Sequence, residues 1–302
     1  MKEPILVVLA AGIGSRYGGL KQVDRIGTSG EALLDYSVYD ALRSGFEKVI
    51  FIIRHDIEKD FRELVLSRMG TRVPYELAFQ DADTLIPPDV YAEAQRIKRV
   101  KPWGTSHALL CAADKIDAPF AVINADDFYS KEAFEVLSAH LTAEQNEGAL
   151  VPYRLDKTLS PQGSVARGVC GIADGYLVSV EELTAISRRD GRIFNTALDG
   201  TERDLAPDTP VSMNFWGFPP EAIPYIRCYF EEFLKTSVGD PKRECYIPHT
   251  VDWLIRNKTL SFKALSAEAD WFGVTYKEDK ASTTARVAEL VARGVYPASL
   301  WS

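Results

Sequence analysis

LAAGIGSRYGGLKQ, residues 9–22, follows directly on an apolar, β-branched run at residues 5–10 and holds four glycines and two cations. Such a run predicts a strand covered on both faces. Gly12, Gly14, Gly18 and Gly19 let the backbone approach a ligand closely, and the amides of such a loop form an anion-binding concavity. Arg16 offers a bidentate fork and Lys21 a compact point charge, so the loop is a candidate phosphate cradle. A P-loop needs Gly-Lys-Ser/Thr, but Leu20 separates Gly19 from Lys21 and Gln22 follows. A dinucleotide fingerprint needs a third glycine where Tyr17 stands, and the next strand ends in Arg54 rather than an acidic ribose ligand. NAD is therefore a poor fit, with NADP left open by Arg54.

Outward from the loop the chain alternates between two periods. Strands are expected at residues 49–53, 75–79 and 120–124, and helices at 32–44, 56–69, 105–114 and 131–142, with a turn or two of helix within 92–100. Asp56 is expected to open the second helix as its N-cap, and Thr105 or Ser106 to cap the helix that follows them. Strand–helix alternation at this spacing implies right-handed crossovers and a mostly parallel sheet. Further on, strands are expected at 149–153, 168–180, 211–218, 260–265 and 272–276. A polar insertion is expected at 181–208, and helices at 221–235, 246–257 and 280–293. The fold class is thus α/β: one Rossmann-like domain with a mixed, mostly parallel sheet flanked by helices.

The 302 residues are 46% hydrophobic and 26% charged, with a formal charge of −8, an ordinary globular composition. The acidic balance argues against a nucleic-acid or anionic-membrane partner and requires focused cations, amides or a metal ion wherever a polyanion binds. Cys111, Cys170, Cys228 and Cys245 lack metal or disulfide spacing and are expected to be buried free thiols of a cytoplasmic protein. No apolar run reaches the length of a membrane span. The stretch PILVVLAAGIG at residues 4–14 looks like a short signal peptide, but Glu3 spoils its basic flank, so no leader is expected.

The opening loop resembles the L-A-A-G-x-G-S/T-R signature of the nucleotidyltransferase family that makes nucleoside-diphosphate sugars, with Leu20 where a proline usually precedes the lysine. The resemblance implies a nucleotide-diphospho-sugar transferase-like fold, with residues 1–150 as the nucleotide-binding half and 151–302 as the acceptor-binding half. It implies that Leu9, Ala10, Ala11, Gly12 and Gly14 line the nucleotide, that Arg16 binds the β- and γ-phosphates and that Lys21 stabilises charge at the α-phosphate. Three further segments carry the likeness. INADDFY, residues 123–129, implies Asp126 as the ligand of Mg²⁺, with Asp127 adjacent. KPWGTSHALLCA, residues 101–112, implies Gly104 and Thr105 against the base, and Gln80 matches the family's base-reading glutamine. The bland account of His107, a packed or capping histidine, is preferred because no metal partner sits nearby.

The later matches are looser. Glu182-Leu183-Thr184 stands where the family has Glu-Lys-Pro, so Glu182 is expected to bind an acceptor hydroxyl and Arg167 to replace the missing lysine. Asn214 and Trp216 are expected on a strand facing the acceptor, with a core role for Trp216 equally open. WFGVTYKED, residues 271–279, resembles W-x-D-x-G-T-x-E-D with Gly273 in place of a metal-binding aspartate. The function implied is Mg²⁺-dependent transfer of a nucleotidyl group from an NTP to a phosphorylated acceptor, a sugar 1-phosphate first, with release of pyrophosphate. A phosphorylated alcohol such as phosphocholine and a catalytically inactive nucleotide-binding module are the alternatives. Base and oligomeric state stay open.

Overall fold

The period-two runs of the first 130 residues assemble side by side at the middle of one mixed sheet. A computed structural model describes residues 2–12, 25–143, 146–274 and 276–302. The first half contributes β1 (Ile5–Leu9), α1 (Leu33–Arg43), β2 (Lys48–Ile53), α2 (Glu58–Phe61), α3 (Ser67–Met69), β3 (Tyr75–Phe79), α4 (Pro88–Arg96), α5 (Thr105–Cys111), β4 (Phe120–Asn124), β5 (Asp127–Phe128), α6 (Lys131–Thr142) and β6 (Gly148–Leu150). The second contributes β7 (Tyr153–Arg154), β8 (Val165–Ala173), β9 (Tyr176–Arg189), β10 (Arg192–Thr196), β11 (Glu202–Leu205), β12 (Pro210–Ser212), β13 (Trp216–Phe218), α7 (Ala222–Ser237), α8 (Ile247–Arg256), β14 (Phe262–Ala264), β15 (Phe272–Gly273) and α9 (Asp279–Ala292).

The central order is β3-β2-β1-β4-β13-β6-β14. Within it β3-β2, β2-β1, β1-β4 and β6-β14 are parallel, and β13 runs antiparallel to β4 and β6. The expected mixed, mostly parallel centre is therefore what forms, extended by antiparallel β9, β8, β12 and β7. Alternation along the strands divides the core between the two faces. Leu6, Val8, Phe51 and Ile53 pack on one side, and Ile5, Val7, Ile50 and Ile52 on the other. In register, Leu9 at the end of β1 lies between Ile52 and Asn124, so the glycine-rich loop departs where the strand order reverses. Open α/β sheets bind ligands at this crevice.

Several expected boundaries differ. The helix beyond residue 92 begins earlier, at Pro88, because a proline at the first helical position has a suitable φ and needs no hydrogen-bond partner for nitrogen. The helix expected over 56–69 is broken by a π turn at Arg62–Leu66, and Asp56 forms a bidentate ion pair with Arg54 instead of capping it. The strand expected over 168–180 is a hairpin of β8 and β9 turning at Asp174-Gly175, both at positive φ. Asp190-Gly191, likewise at positive φ, turns β9 into β10, so the expected polar insertion is an antiparallel ribbon of β9, β10 and β11. Asp-Gly is a strong hairpin signal, and a polar outer face conceals it from a hydrophobicity scan. Cys228 is exposed, unlike Cys170 and Cys245; all four thiols are free.

Candidate active site

Two cavities meet at the carboxyl ends of β1 and β4. One, of about 190 Å³, is lined by Leu9, Ala11, Gly12, Gln80, Thr105 and Asp126 among others. Its neighbour, of about 180 Å³, is lined by Asp126, Asp127, Arg167, Glu182, Asn214 and Trp271 among others. Asn124 and Asp126 belong to both and mark where the cavities join. Of the residues expected at a nucleotide, Leu9, Ala11, Gly12, Gln80 and Thr105 thus gather on one side, and of those expected at an acceptor, Arg167, Glu182 and Asn214 gather on the other. Ala10, one residue past β1, is fully buried, its amide donating to Ile52 O. Gly14, Arg16 and Lys21 lie outside the described residues.

On the first side, β3 ends at Phe79 and delivers Gln80, whose amide nitrogen donates to Gly104 O at 2.9 Å. Gly104 has φ +104°, and a Cβ there would collide with the Cys245 backbone. The close approach is held by Ser106 N to Cys245 O at 3.0 Å and Cys245 N to Trp103 O at 2.8 Å. Thr105 and Ser106 do not cap α5. Thr105 Oγ1 accepts from Ile247 N at 2.9 Å, at the first turn of α8, and Ser106 Oγ meets Thr250 Oγ1 at 2.7 Å. These hydroxyls tie two chain segments together instead, because the α5 amides point toward a neighbouring backbone. His107 is fully buried and stacks on Phe230, as its bland reading expects. Arg54 is occupied by Ala11 O and Asp56.

On the second side the polar groups are bound to one another. Asn124 Nδ2 donates to Asp127 Oδ2 at 2.8 Å, and Asn214 Nδ2 donates to Asn124 Oδ1 at 3.3 Å. Asn214 sits at φ +59° in the break between β12 and β13, which aims its amide at the site. Trp216, expected against the acceptor, is instead fully buried in the core, where its indole N–H donates to Asn214 Oδ1 at 3.3 Å. The positive-φ break at Asn214 interrupts the strand there, and the chain beyond it packs inward, with Phe215 and Trp216 both fully buried. Leu183 is buried too, next to Glu182 on β9.

Arg167 is 8% exposed and lies 5.0 Å from the Trp271 ring. It donates to Ala166 O at 2.7 Å and to Thr158 O, while its Nε and the Trp271 Nε1 have no partner among the described residues. Two buried orphan N–H groups on one wall call for an acceptor oxygen. Burial lowers the Arg167 pKa to about 10, so it remains a cation at neutral pH. Burial raises Glu182 to about 7 against the pull of Arg167. Asp127 is also pushed up, by burial and then by the charge of Asp126.

Gly273 pairs with Asp127 across the β15–β5 ladder, and a Cβ on Gly273 would run into Asp127 Oδ1. The Asp127 carboxylate therefore fills the space a side chain at position 273 would take. Mg²⁺ accepts one or two protein carboxylates and completes its shell with water and phosphate oxygens. Adjacent Asp126 and Asp127 suit that arrangement, whereas the described residues hold no group of three or more His, Cys, Asp or Glu fit for a closed metal site. Sequence reasoning passed over Asn124, Trp271 and Glu244, the last of which lines the first cavity. The position of Asn124 at the end of a buried strand was an available signal; the other two come to the site only through long-range packing.

No family model matches the chain. No curated protein matches its sequence either. Solved structures do. The chain superposes on the inositol-1-phosphate CTP transferase from T. maritima with TM-score 0.63, 13% identity and coverage of 95% of this chain and 97% of that one. A putative glucose-1-phosphate thymidylyltransferase from Bacillus anthracis in complex with a sucrose gives TM-score 0.62, 14% identity and coverage of 94% and 95%. UDP-glucose pyrophosphorylase complexed with UDP-glucose gives 0.58, 13%, and 95% and 99%. The fold, over nearly its whole length, is that of these sugar-phosphate nucleotidyltransferases.

Proposed function

We propose that the protein is a nucleotidylyltransferase that moves the nucleotidyl group of an NTP onto a phosphorylated acceptor, a sugar 1-phosphate, and releases pyrophosphate. The observation that carries this is the pair of cavities joined at Asn124 and Asp126, one built around Gln80 and backbone, the other around Arg167 and Glu182. Such a pair suits a donor nucleotide and an anionic, hydroxyl-bearing acceptor meeting end to end.

An acceptor phosphate oxygen attacks the α-phosphorus, and the bond from that phosphorus to the bridging β-phosphate oxygen breaks, so pyrophosphate leaves with the electron pair. Arg167, held by two carbonyls and with Nε unpartnered among the described residues, binds the acceptor phosphate, and Trp271 Nε1 donates beside it. Glu182 accepts from an acceptor hydroxyl. Asn124 and Asn214 hold the Asp127 side of the junction rigid. In keeping with the sequence resemblance, Arg16 and Lys21 meet the charge on the transferring phosphates. Mg²⁺, when bound, neutralises phosphate charge; Asp126, with Asp127 beside it, would hold it. Transfer of this kind depends on position and electrostatics more than on covalent help.

Pyrophosphate release measured for five NTPs against sugar 1-phosphates and phosphocholine tests the assignment. Activity with a sugar 1-phosphate is expected, reduced about a hundredfold in Asp126→Asn and in Arg167→Leu. The buried Leu183, in place of a lysine, favours the second reading, a phosphorylated alcohol, if phosphocholine is the better substrate. Tight nucleotide binding without pyrophosphate under any pairing would overturn catalysis and leave a binding module.

A further inference from the structure

The Gln80 carboxamide has a single orientation available to it, and His107 is the reason. The His107 Nε2 lies 2.7 Å from Thr84 O, a carbonyl that can only accept, so Nε2 carries the proton. His107 is fully buried, and its pKa is lowered to about 4 by burial, so the ring is neutral and Nδ1 keeps its lone pair. Gln80 Nε2 faces that lone pair at 3.1 Å and Gly104 O at 2.9 Å. Both neighbours accept, so both amide hydrogens are committed, and a flipped carboxamide would set its oxygen against two acceptors. Among the described residues nothing donates to Gln80 Oε1, the polar atom left for a ligand in the two adjoining cavities that Gln80 lines, both of which also include Ala11.

We infer that His107 is a specificity-positioning residue that holds Gln80 with its carbonyl oxygen toward the nucleotide, selecting a base with a ring N–H on its pairing edge: uracil, thymine or guanine. Cytosine and adenine bring a lone pair to that ring position, against the Gln80 oxygen, and the locked amide cannot turn to donate instead. Packing supports the lock from behind: His107 stacks on Phe230 at 5.2 Å between ring centroids, and Thr84 follows Gln80 by four residues, so the relay closes on the strand end that carries it.

The inference rests on the transferase assignment above, and the two fail separately. The wild-type protein is assayed for KM and kcat with UTP, dTTP, GTP, CTP and ATP, and with 3-methyl-UTP and 1-methyl-GTP, in which a methyl group replaces the ring proton. The best of UTP, dTTP and GTP should surpass CTP and ATP, and its methylated counterpart, 3-methyl-UTP for a pyrimidine or 1-methyl-GTP for guanine, should lose about tenfold or more in kcat/KM, mainly through KM. His107→Phe keeps the stacked ring but removes the relay. It should erase most of that discrimination with kcat changed only a few-fold. Preference for CTP or ATP, a methylated base accepted equally, or discrimination retained in a folded His107→Phe would each overturn the inference while leaving the transferase assignment standing. Absence of pyrophosphate from every NTP would overturn the assignment instead.

Discussion

Gly104 and Glu182 illustrate how single positions serve stability and site together. At Gly104 the left-handed backbone and the Cys245 main chain leave no room for a methyl group, and neither neighbour is the end of a flexible side chain. Gly104→Ala should cost roughly 3 kcal/mol in urea unfolding, from strained backbone plus displacement of the 245–247 segment. Unchanged stability would show that the contact is loose. Glu182 is raised from 4.5 to about 7 by burial, so between those values the folded protein holds a proton that the unfolded chain has released. Stability from this group therefore falls as pH rises through that window and is fully lost above it. Glu182→Gln should match the parent below about pH 4.5 and melt about 2 °C higher at pH 8, read by differential scanning calorimetry.

Between elements, the β5–β15 ladder shows how a departure from a family pattern is accommodated. Phe128 stacks on Phe272 at 4.2 Å, and one step along, the Asp127 carboxylate covers Gly273. Gly273→Asp should push two carboxylates together and force the ladder apart, lowering stability by about 2 kcal/mol. The double variant Asp127→Gly with Gly273→Asp should recover most of the loss, and a double variant as unstable as the sum of its parts would rule out the spatial exchange. At this scale the sequence was readable wherever hydrophobic period dominated, as in β1 to β4, α6 and α7. It misled where polar faces conceal strands, as in the β9–β11 ribbon, and where proline opens a helix, as at Pro88.

For the whole molecule, the sheet interleaves both halves of the chain. β13 lies between β4 and β6, and β6 has β13 and β14 as its neighbours, both from beyond residue 210. We therefore propose one cooperative unit. A fragment of residues 1–150 should show no cooperative thermal transition by circular dichroism, because β6 would have no partner and β4 an open apolar edge. A fragment that melts cooperatively would instead divide the chain into two domains.

The central strands and the acidic end of β4 follow from local pattern, because burial on both faces imposes continuous apolar runs. The first cavity gathers residues from such places: Leu9, Ala11, Gly12, Gln80 and Thr105 all sit at or just past strand or helix ends. What three-dimensional packing alone decided is how the second cavity is assembled and the state of its groups. Arg167 meets Trp271 from over a hundred residues away, Trp216 turns into the core, and His107 fixes the orientation of Gln80. Protonation, orphaned donors and amide orientation depend on which atoms exclude water from which others, and one-dimensional spacing carries no record of that.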